Sequence, residues 1–231
     1  MGLKLRLMSY TANPSAMQPT SSGAPIVLIV DDDELVLKSV DGLVRSAGYR
    51  SALYPSAVEL LSKPLPEGVR CLVADVRLPL VSGLDLQAEL AKRGERVPIL
   101  FITGHGDIPM SVRAMKAGAV DFLSKPFRDQ DILDAIACAL AEDIRLKELE
   151  GELESLRARY ESLTSREREV LQMVSSGLLN KQVACELGLS EITVKLHRGS
   201  AMRKMGALTL AQVVRMMEAI ERGTLQGHTP V

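Results

Sequence analysis

A short apolar run that ends in three carboxylates constrains the fold more than any other part of this chain. Residues 26–30 read Ile-Val-Leu-Ile-Val, a composition typical of a strand buried on both faces of a parallel sheet. Asp31, Asp32 and Asp33 follow directly, so negative charge is concentrated where the strand ends. Because ligands of open α/β sheets bind at the carboxyl ends of the strands, we expect a metal or phosphate site there. Asp33 could instead simply cap the helix that begins at Glu34.

Strands and helices continue to alternate up to about residue 140. Helical periodicity or helix-capping residues appear after each predicted strand, and glycines close several of the helices. Five βα units predict an α/β domain at residues 25–140, with a five-stranded parallel sheet between two layers of helices. The further strands are predicted near residues 50–53, 71–74, 99–102 and 120–123.

The last of these helices is predicted to continue into a linker at residues 141–162. Apolar residues there are spaced alternately three and four apart, which is the a/d pattern of a coiled coil. Residues 129–161 carry ten acidic and four basic side chains, so this segment is acidic. We interpret it as a two-stranded helical linker; the alternative is a single amphipathic helix that lies on its own α/β domain. The pattern consists of Leu146, Leu149, Leu153, Leu156, Tyr160 and Leu163.

Residues 163–222 have the pattern of a small all-α domain of four helices. Thr164 or Ser165 caps the first helix, and Glu167 completes a capping box with Thr164. Two further helices, predicted over residues 181–187 and 191–205, are separated by the turn Gly188-Leu189-Ser190. A pair of helices joined by a short turn that contains glycine is typical of a helix-turn-helix. Residues 162–231 carry nine basic and six acidic side chains, a modest positive charge that suits a nucleic-acid partner.

The rest of the composition excludes several classes of protein. Cys71, Cys138 and Cys185 are far apart and form no C-x-x-C pair, which argues against a zinc site or a disulfide framework and favours a reducing compartment. No apolar run is long enough to cross a membrane, so we expect a cytoplasmic protein without a membrane partner. Residues 1–24 and 223–231 are predicted to be irregular tails.

The predicted strand ends bring together a set of side chains suited to phosphoryl chemistry. A parallel sheet places Asp31, Asp32, Asp75, Thr103 and Lys125 along one edge. Carboxylate oxygens bind a hard cation such as Mg²⁺, a lysine balances phosphoryl charge, and a threonine hydroxyl donates to a phosphoryl oxygen. Asp75, the carboxylate nearest the centre, is then a candidate nucleophile for phosphoryl transfer.

These residues carry a clear family resemblance. Residues 25–140 resemble the flavodoxin-like receiver domain of two-component response regulators, and residues 163–222 resemble the LuxR-type helix-turn-helix of the NarL/FixJ family. The matching stretches are Val30-Asp31-Asp32, Ala74-Asp75-Val76-Arg77-Leu78-Pro79, Gly83, Thr103-Gly104-His105-Gly106-Asp107, Lys125-Pro126-Phe127, residues 163–171 and Thr193-Val194-Lys195-Leu196-His197.

The resemblance implies a role for each receiver residue. Asp75 is expected to accept a phosphoryl group from a sensor histidine kinase. Asp32, Asp75 and the backbone carbonyl of Arg77 are expected to bind Mg²⁺ directly, and Asp31 through water. Lys125, whose bond to Pro126 is expected to be cis, would contact the phosphoryl group. Thr103 and Phe122 would move when it binds.

It also implies that phosphorylation pairs two receivers and two output domains on promoter DNA. The expected pairing surface lies around Val112–Ala117, Val120 and Asp121. The helix over residues 191–205 is the expected recognition helix, with Lys195, Leu196 and Gly199 nearest the bases. Phosphate contacts are expected from Lys181, Thr193, Arg198 and Arg203.

Two other functions are alternatives to a phosphorylation-dependent DNA-binding regulator. The first is a phosphohydrolase with an aspartyl-phosphate intermediate. Such enzymes of the haloacid type need an acid two residues after the nucleophile, whereas Arg77 stands there, so we expect no enzyme. The second is a receiver that controls an RNA-binding antiterminator; the Gly188-Leu189-Ser190 turn between short helices favours duplex DNA instead.

Overall fold

The computed structural model describes residues 24–104 and 108–227, with side chains described as far as residue 223. The predicted tail up to residue 23, residues 105–107 and residues 228–231 lie outside this part of the chain. The chain divides into two compact units, one that ends at Ile144 and one that begins at Arg145.

The first unit is built on a five-stranded parallel sheet with the strand order β2-β1-β3-β4-β5. This confirms the predicted fold class. The strand at the far edge, β5, lies one residue later than predicted because its residues are only half-buried, so that apolar content does not locate it well. The strands are β1 (Ile26–Val30), β2 (Arg50–Tyr54), β3 (Arg70–Asp75), β4 (Ile99–Thr103) and β5 (Asp121–Ser124).

Helices cover both faces of the sheet because alternate residues of each strand point to opposite sides. On β1, Ile26, Leu28 and Val30 pack with α2, α3 and α4, whereas Val27 and Ile29 pack with α1 and α5. The helices of this unit are α1 (Glu34–Ser46), α2 (Ala57–Leu61), α3 (Gly83–Lys92), α4 (Ile108–Lys116) and α5 (Asp129–Glu161).

Helix α5 is continuous for 33 residues and begins in the first unit and ends in the second. Its inner face is fixed to the sheet by apolar contacts and by one buried carboxylate. Asp143 accepts a hydrogen bond of 2.9 Å from the backbone nitrogen of Arg70, at the start of β3. The helix therefore remains attached to the sheet beyond residue 140, where the first domain was predicted to end.

The second unit contains four further helices around an apolar core. These helices are α6 (Ser165–Ser175), α7 (Asn180–Leu187), α8 (Glu191–Met205) and α9 (Leu210–Gly227). Thr164, rather than Ser165, caps α6 and forms the predicted capping box with Glu167. Gly188 ends α7 in the left-handed conformation, at φ 63°, and allows the sharp turn into α8 that the sequence predicted.

The second half of the predicted heptad pattern packs within this unit. Leu156 and Tyr160 lie against the core that Leu163, Leu171 and Val213 form, while Leu149 is 49% exposed. Neither predicted arrangement of the linker accounts for these contacts, since a separate coiled coil would leave both side chains for a second copy. Only the first half of the pattern, around Leu149, is available for contacts outside the unit.

Helix α9 continues through Gly223 to Gly227, so the prediction of an irregular segment from residue 223 is wrong as far as Gly227. Gly223 is a point of close helix approach and not a helix terminator. A Cβ atom at this position would lie 2.4 Å from a methyl carbon of Leu153, on α5. The sequence shows the glycine but not the leucine side chain that it lies against.

Among the residues with a described placement, no helix is both long and apolar enough to span a membrane.

The turn between β3 and α3 depends on the absence of a side chain at Gly83. A Cβ atom there would lie 2.4 Å from the carbonyl oxygen of Asp75 and 3.0 Å from the ring of Phe101. We predict that Gly83→Ala lowers the free energy of unfolding of the first unit by about 2 kcal/mol or more, because backbone must move to accept the methyl group. Urea denaturation measures this.

Gly42→Ala is the matched control. Gly42 lies inside α1 with nothing near its missing Cβ, so alanine there is expected to stabilise the unit by about 0.5–1 kcal/mol. Equal effects of the two substitutions would contradict the steric explanation.

Candidate functional site

The predicted site residues of the first unit meet at the carboxyl edge of the sheet. Asp31 follows β1, Asp75 ends β3 and Thr103 ends β4. Asp75 pairs with Ile102, and Thr103 pairs with Ser124, the residue before Lys125. The adjacent strands β1, β3, β4 and β5 therefore bring together side chains that are up to 94 residues apart in the chain.

Lys125 connects the two buried carboxylates. Its Nζ atom donates hydrogen bonds of 2.6 Å to Asp31 and 2.7 Å to Asp75. The side chains of Asp31, Asp75 and Lys125 are 1%, 12% and 20% exposed, so all three charges are largely removed from water. Such a group is stable only while the charges remain paired.

Burial and pairing shift the protonation of this group in specific directions. Burial raises the pKa of Asp31 above its ordinary value, and the hydrogen bond from Lys125 only partly offsets this. Burial opposes the charged form of Lys125, but its hydrogen bonds to Asp31 and Asp75 outweigh burial, and its pKa is raised. Asp31 therefore carries negative charge that the lysine does not fully compensate.

Backbone groups hold the two carboxylates in place. The nitrogen of Arg77 donates to Asp75 at 2.9 Å, and the nitrogen of Asp33 donates to Asp31 at 2.9 Å. Asp33 itself accepts from the nitrogen of Leu35 and caps α1, which confirms the simpler of its two predicted roles. Asp32 remains exposed to solvent.

Thr103 contacts the backbone of Lys125, whereas Phe122 lies against the apolar core. Thr103 is fully buried, and its carbonyl oxygen accepts a hydrogen bond of 2.7 Å from the nitrogen of Lys125. Phe122 is half-buried and packs against the core on the side of α4. The Lys125–Pro126 peptide bond is cis, as expected.

In the second unit, the predicted recognition helix α8 presents a mixed surface. Lys195, Leu196, Gly199 and Arg203 are exposed on α8, and Lys181 is exposed on α7. Thr193 and Arg198 are half-buried and already make internal contacts. The hydroxyl of Thr193 lies 2.8 Å from that of Ser190, and Arg198 donates to Asn180 at 3.2 Å.

Glu167 has a role that sequence reasoning did not identify. Besides the capping box, it accepts hydrogen bonds of 2.7 Å from both Ser200 and Lys204 of α8. The hydrogen bond from Lys204, followed by those from Ser200 and the backbone of Thr164, lowers the pKa of Glu167 to about 2. This buried carboxylate thus fixes α8, the predicted recognition helix, to α6. The sequence pattern explained Glu167 as part of a helix cap and gave no indication of its contacts with α8.

Both units match known protein families. Residues 27–137 match the response regulator receiver domain, and residues 161–217 match the bacterial regulatory proteins of the LuxR family. Nodulation protein W of Bradyrhizobium diazoefficiens is 50% identical over 90% of this chain and 91% of its own length. Response regulator protein TodT of Pseudomonas putida is 44% identical over 90% of this chain and 91% of its own length.

Solved structures agree with these matches. The response regulator StyR is 44% identical and superimposes with a TM-score of 0.73, over 85% of this chain and 99% of that one. Full-length FixJ from B. japonicum is 36% identical, with a TM-score of 0.52 over 85% of this chain and 97% of its own.

The chain is a response regulator of the NarL/FixJ family. Its first unit is a receiver domain, and its second unit carries a LuxR-type DNA-binding domain. The receiver match accounts for the two buried carboxylates and the lysine at the polar edge of the sheet. The regulator's relatives are transcriptional regulators.

The uncompensated charge of Asp31 predicts that this residue destabilises the unliganded receiver domain. Because its folded-state pKa is raised, ionisation costs stability as the pH rises through that value. We expect Asp31→Asn to raise the free energy of unfolding at pH 7, and the difference to vanish near pH 3, where the carboxyl is protonated in the folded and unfolded states. Thermal denaturation at both pH values measures this.

Asp33→Asn is the control, since asparagine caps a helix as well as aspartate and Asp33 lies outside the buried group. It should leave stability nearly unchanged. A less stable Asp31→Asn variant at pH 7 would show that pairing with Lys125 outweighs burial.

The buried position of Glu167 predicts a pH-dependent stability of the output domain. Its lowered pKa means that the stabilisation is complete above about pH 4.5 and is lost as the pH falls towards 2. We expect Glu167→Gln to cost about 1–3 kcal/mol at pH 7 and progressively less below pH 4.5. Denaturation of the regulator, followed through the α6–α9 unit, measures this.

Glu169→Gln provides a matched comparison on the same helix. Glu169 pairs with Arg166 at the surface, where an ion pair contributes about 0–1 kcal/mol. An equal loss in the two variants would mean that Glu167 acts only as a surface charge.

Proposed function

We propose that Asp75 accepts a phosphoryl group from a sensor histidine kinase, and that the modification controls binding of the regulator to duplex promoter DNA. The observation that carries this proposal is the bridge from Lys125 Nζ to Asp31 and Asp75. It holds an ionisable carboxylate in place at the sheet edge, next to a cation that can follow the charge of an incoming phosphoryl group.

The transfer of the phosphoryl group to Asp75 is a displacement at phosphorus. An oxygen of the Asp75 carboxylate attacks the phosphorus of a phosphohistidine, and a new O–P bond forms. The P–N bond to the imidazole breaks, and its electron pair stays on the imidazole nitrogen, which takes up a proton. Lys125 lies 2.7 Å from Asp75 and can donate to a phosphoryl oxygen as the charge grows.

The donor set also fits Mg²⁺. The carboxylates of Asp31 and Asp75 both contact the ammonium group of Lys125. The exposed Asp32 follows Asp31 in the chain, and the carbonyl of Arg77 is two residues from Asp75. Within the described ranges, no three acidic, histidine or cysteine side chains are already grouped for a metal, and Lys125 bridges two of these carboxylates. The excess negative charge and the oxygen donors nevertheless suit a hard cation. When bound, Mg²⁺ would supply positive charge against the oxygens of the phosphoryl group.

Phosphorylation would then act through Thr103 and Phe122. A phosphoryl group on Asp75 adds acceptor oxygens beside the buried Thr103 and draws Lys125 away from Asp31. Because Thr103 ends β4 and its carbonyl oxygen binds the nitrogen of Lys125, a shift there moves the start of the β5–α5 connection. Phe122, half-buried beside α4, can occupy the space that opens.

The surface expected to respond is the outer face of α4 and β5. Val112 and Met115 are 44% and 46% exposed, and Arg113 and Lys116 lie on the same helix. Asp121, on β5, offers the opposite charge to a second copy of this surface. A self-complementary patch of this kind suits a symmetric receiver pair, to which the exposed Leu149 of α5 could add.

In the output domain, we propose that α8 enters the major groove. Lys195, Leu196 and Gly199 would lie nearest the bases. Lys181, Thr193, Arg198 and Arg203 would contact phosphates, with Thr193 and Arg198 also holding their present internal bonds. Preferential binding to structured RNA over duplex DNA would instead favour the antiterminator function.

The acceptor assignment predicts the result of a labelling experiment. Asp75→Asn is expected to abolish labelling by acetyl phosphate in the presence of Mg²⁺, and with it the increase in DNA affinity, because the amide is not a nucleophile. Phosphate-affinity gel electrophoresis of the intact regulator measures the label. Asp33→Asn should label normally; label retained on Asp75→Asn would reject the assignment.

The pairing surface predicts a change in self-association. Val112→Glu is expected to weaken the dimer of the phosphorylated regulator at least tenfold, because it buries a charge in the contact. Sedimentation equilibrium with and without acetyl phosphate measures this. Leu149→Glu tests the linker separately, and an effect of Leu149→Glu alone would place the dimer contact on α5.

A further inference from the structure

The outer face of α8 carries an exposed pair of large aliphatic side chains. Ile192 is 72% exposed and Leu196 is 69% exposed, although both belong to a well-packed helix. They are four residues apart, so they form one continuous apolar patch. With about 100° between successive residues, this patch lies opposite the buried face that Val194, Ala201 and Met205 form.

Charge complementarity indicates what kind of partner covers this patch. Lys195 and Arg203 are exposed on α8, and Lys181 is exposed on α7, whereas Glu191 is the acidic residue in the first turn of α8. A polyanion with apolar groups among its charges matches this arrangement. Duplex DNA has one such group in its major groove, the C5 methyl of thymine.

The neighbouring residues leave few other ways to discriminate bases. Of the positions on this face in the first two turns of α8, only Lys195 offers a hydrogen-bond donor on a long side chain. Gly199 has nothing within 4 Å of its missing Cβ, so the helix backbone can approach the DNA closely there without a side-chain contact. Recognition of bases by this helix must therefore depend strongly on apolar contacts.

We propose that Ile192 and Leu196 contact thymine methyl groups, so that the regulator prefers thymine at two positions of each half-site. This inference rests on the proposed entry of α8 into the major groove. The N-terminal turns of a recognition helix are those that reach the base edges, and both residues lie in them. Specificity then comes from shape, methyl contacts and Lys195, while Lys181 and Arg203 supply affinity that does not depend on sequence.

The test removes the methyl group and nothing else. The full chain, treated with acetyl phosphate and Mg²⁺, selects binding sites from a pool of randomised duplex DNA. Each thymine of the selected site is then replaced in turn by deoxyuridine, which keeps the O4 acceptor and lacks the methyl. We expect a loss of affinity of about fourfold at each contacted thymine, the equivalent of one buried methyl group.

Leu196→Ala and Ile192→Ala identify which side chain makes each contact. Each variant should bind the thymine site more weakly and should respond less than twofold to uracil at one position, while it still responds at the other. Leu208→Ala is the matched control, because Leu208 is 87% exposed but lies outside α8, and it should behave as the wild type.

The outcomes separate this inference from the function on which it rests. If no duplex sequence is enriched, the proposed DNA recognition fails. If a sequence is enriched but uracil binds as tightly as thymine at every position, only the methyl contacts are rejected. If Leu196→Ala alters self-association and not the uracil response, the patch binds protein and the inference is overturned.

Discussion

The receiver domain depends on one lysine that holds two buried carboxylates together. Lys125 Nζ lies 2.6 Å from Asp31 and 2.7 Å from Asp75, and without it two negative charges would face each other out of water. The arrangement is balanced only in part, since burial still raises the pKa of Asp31. The site therefore has an excess of negative charge that suits a divalent cation. The ammonium group of Lys125 could also move with a phosphoryl group on Asp75.

The output domain uses a buried charge for a different purpose. Glu167 accepts hydrogen bonds from Ser200 and Lys204 and from the backbone of Thr164, so it is fully paired, and its pKa is about 2. A fully paired carboxylate fixes one arrangement, which suits a helix that must be presented rigidly. An incompletely compensated one can change partners, which suits a switch.

Much of the receiver site could be predicted because its polar side chains lie at the ends of strands. Asp31, Asp75, Thr103 and Lys125 all follow apolar runs, and a parallel sheet brings such positions to one edge. The predictions that were wrong share one cause, because each depended on contacts between residues that are distant in the chain. Gly223 looked like a helix end but accommodates Leu153, and Leu156 and Tyr160 looked like a coiled coil but complete the core of the second unit.

The order of residues was enough to predict the strands and helices, the two-part organisation and the types of side chain at the polar edge. Each of these depends on local spacing, which survives in the linear order of residues. The specific contacts became visible only in the folded chain: Lys125 bridges Asp31 and Asp75, and Glu167 holds α8. The exposure of Ile192 and Leu196 was likewise visible only there. Burial and hydrogen-bond partners depend on residues that are distant along the chain, so local spacing does not predict them.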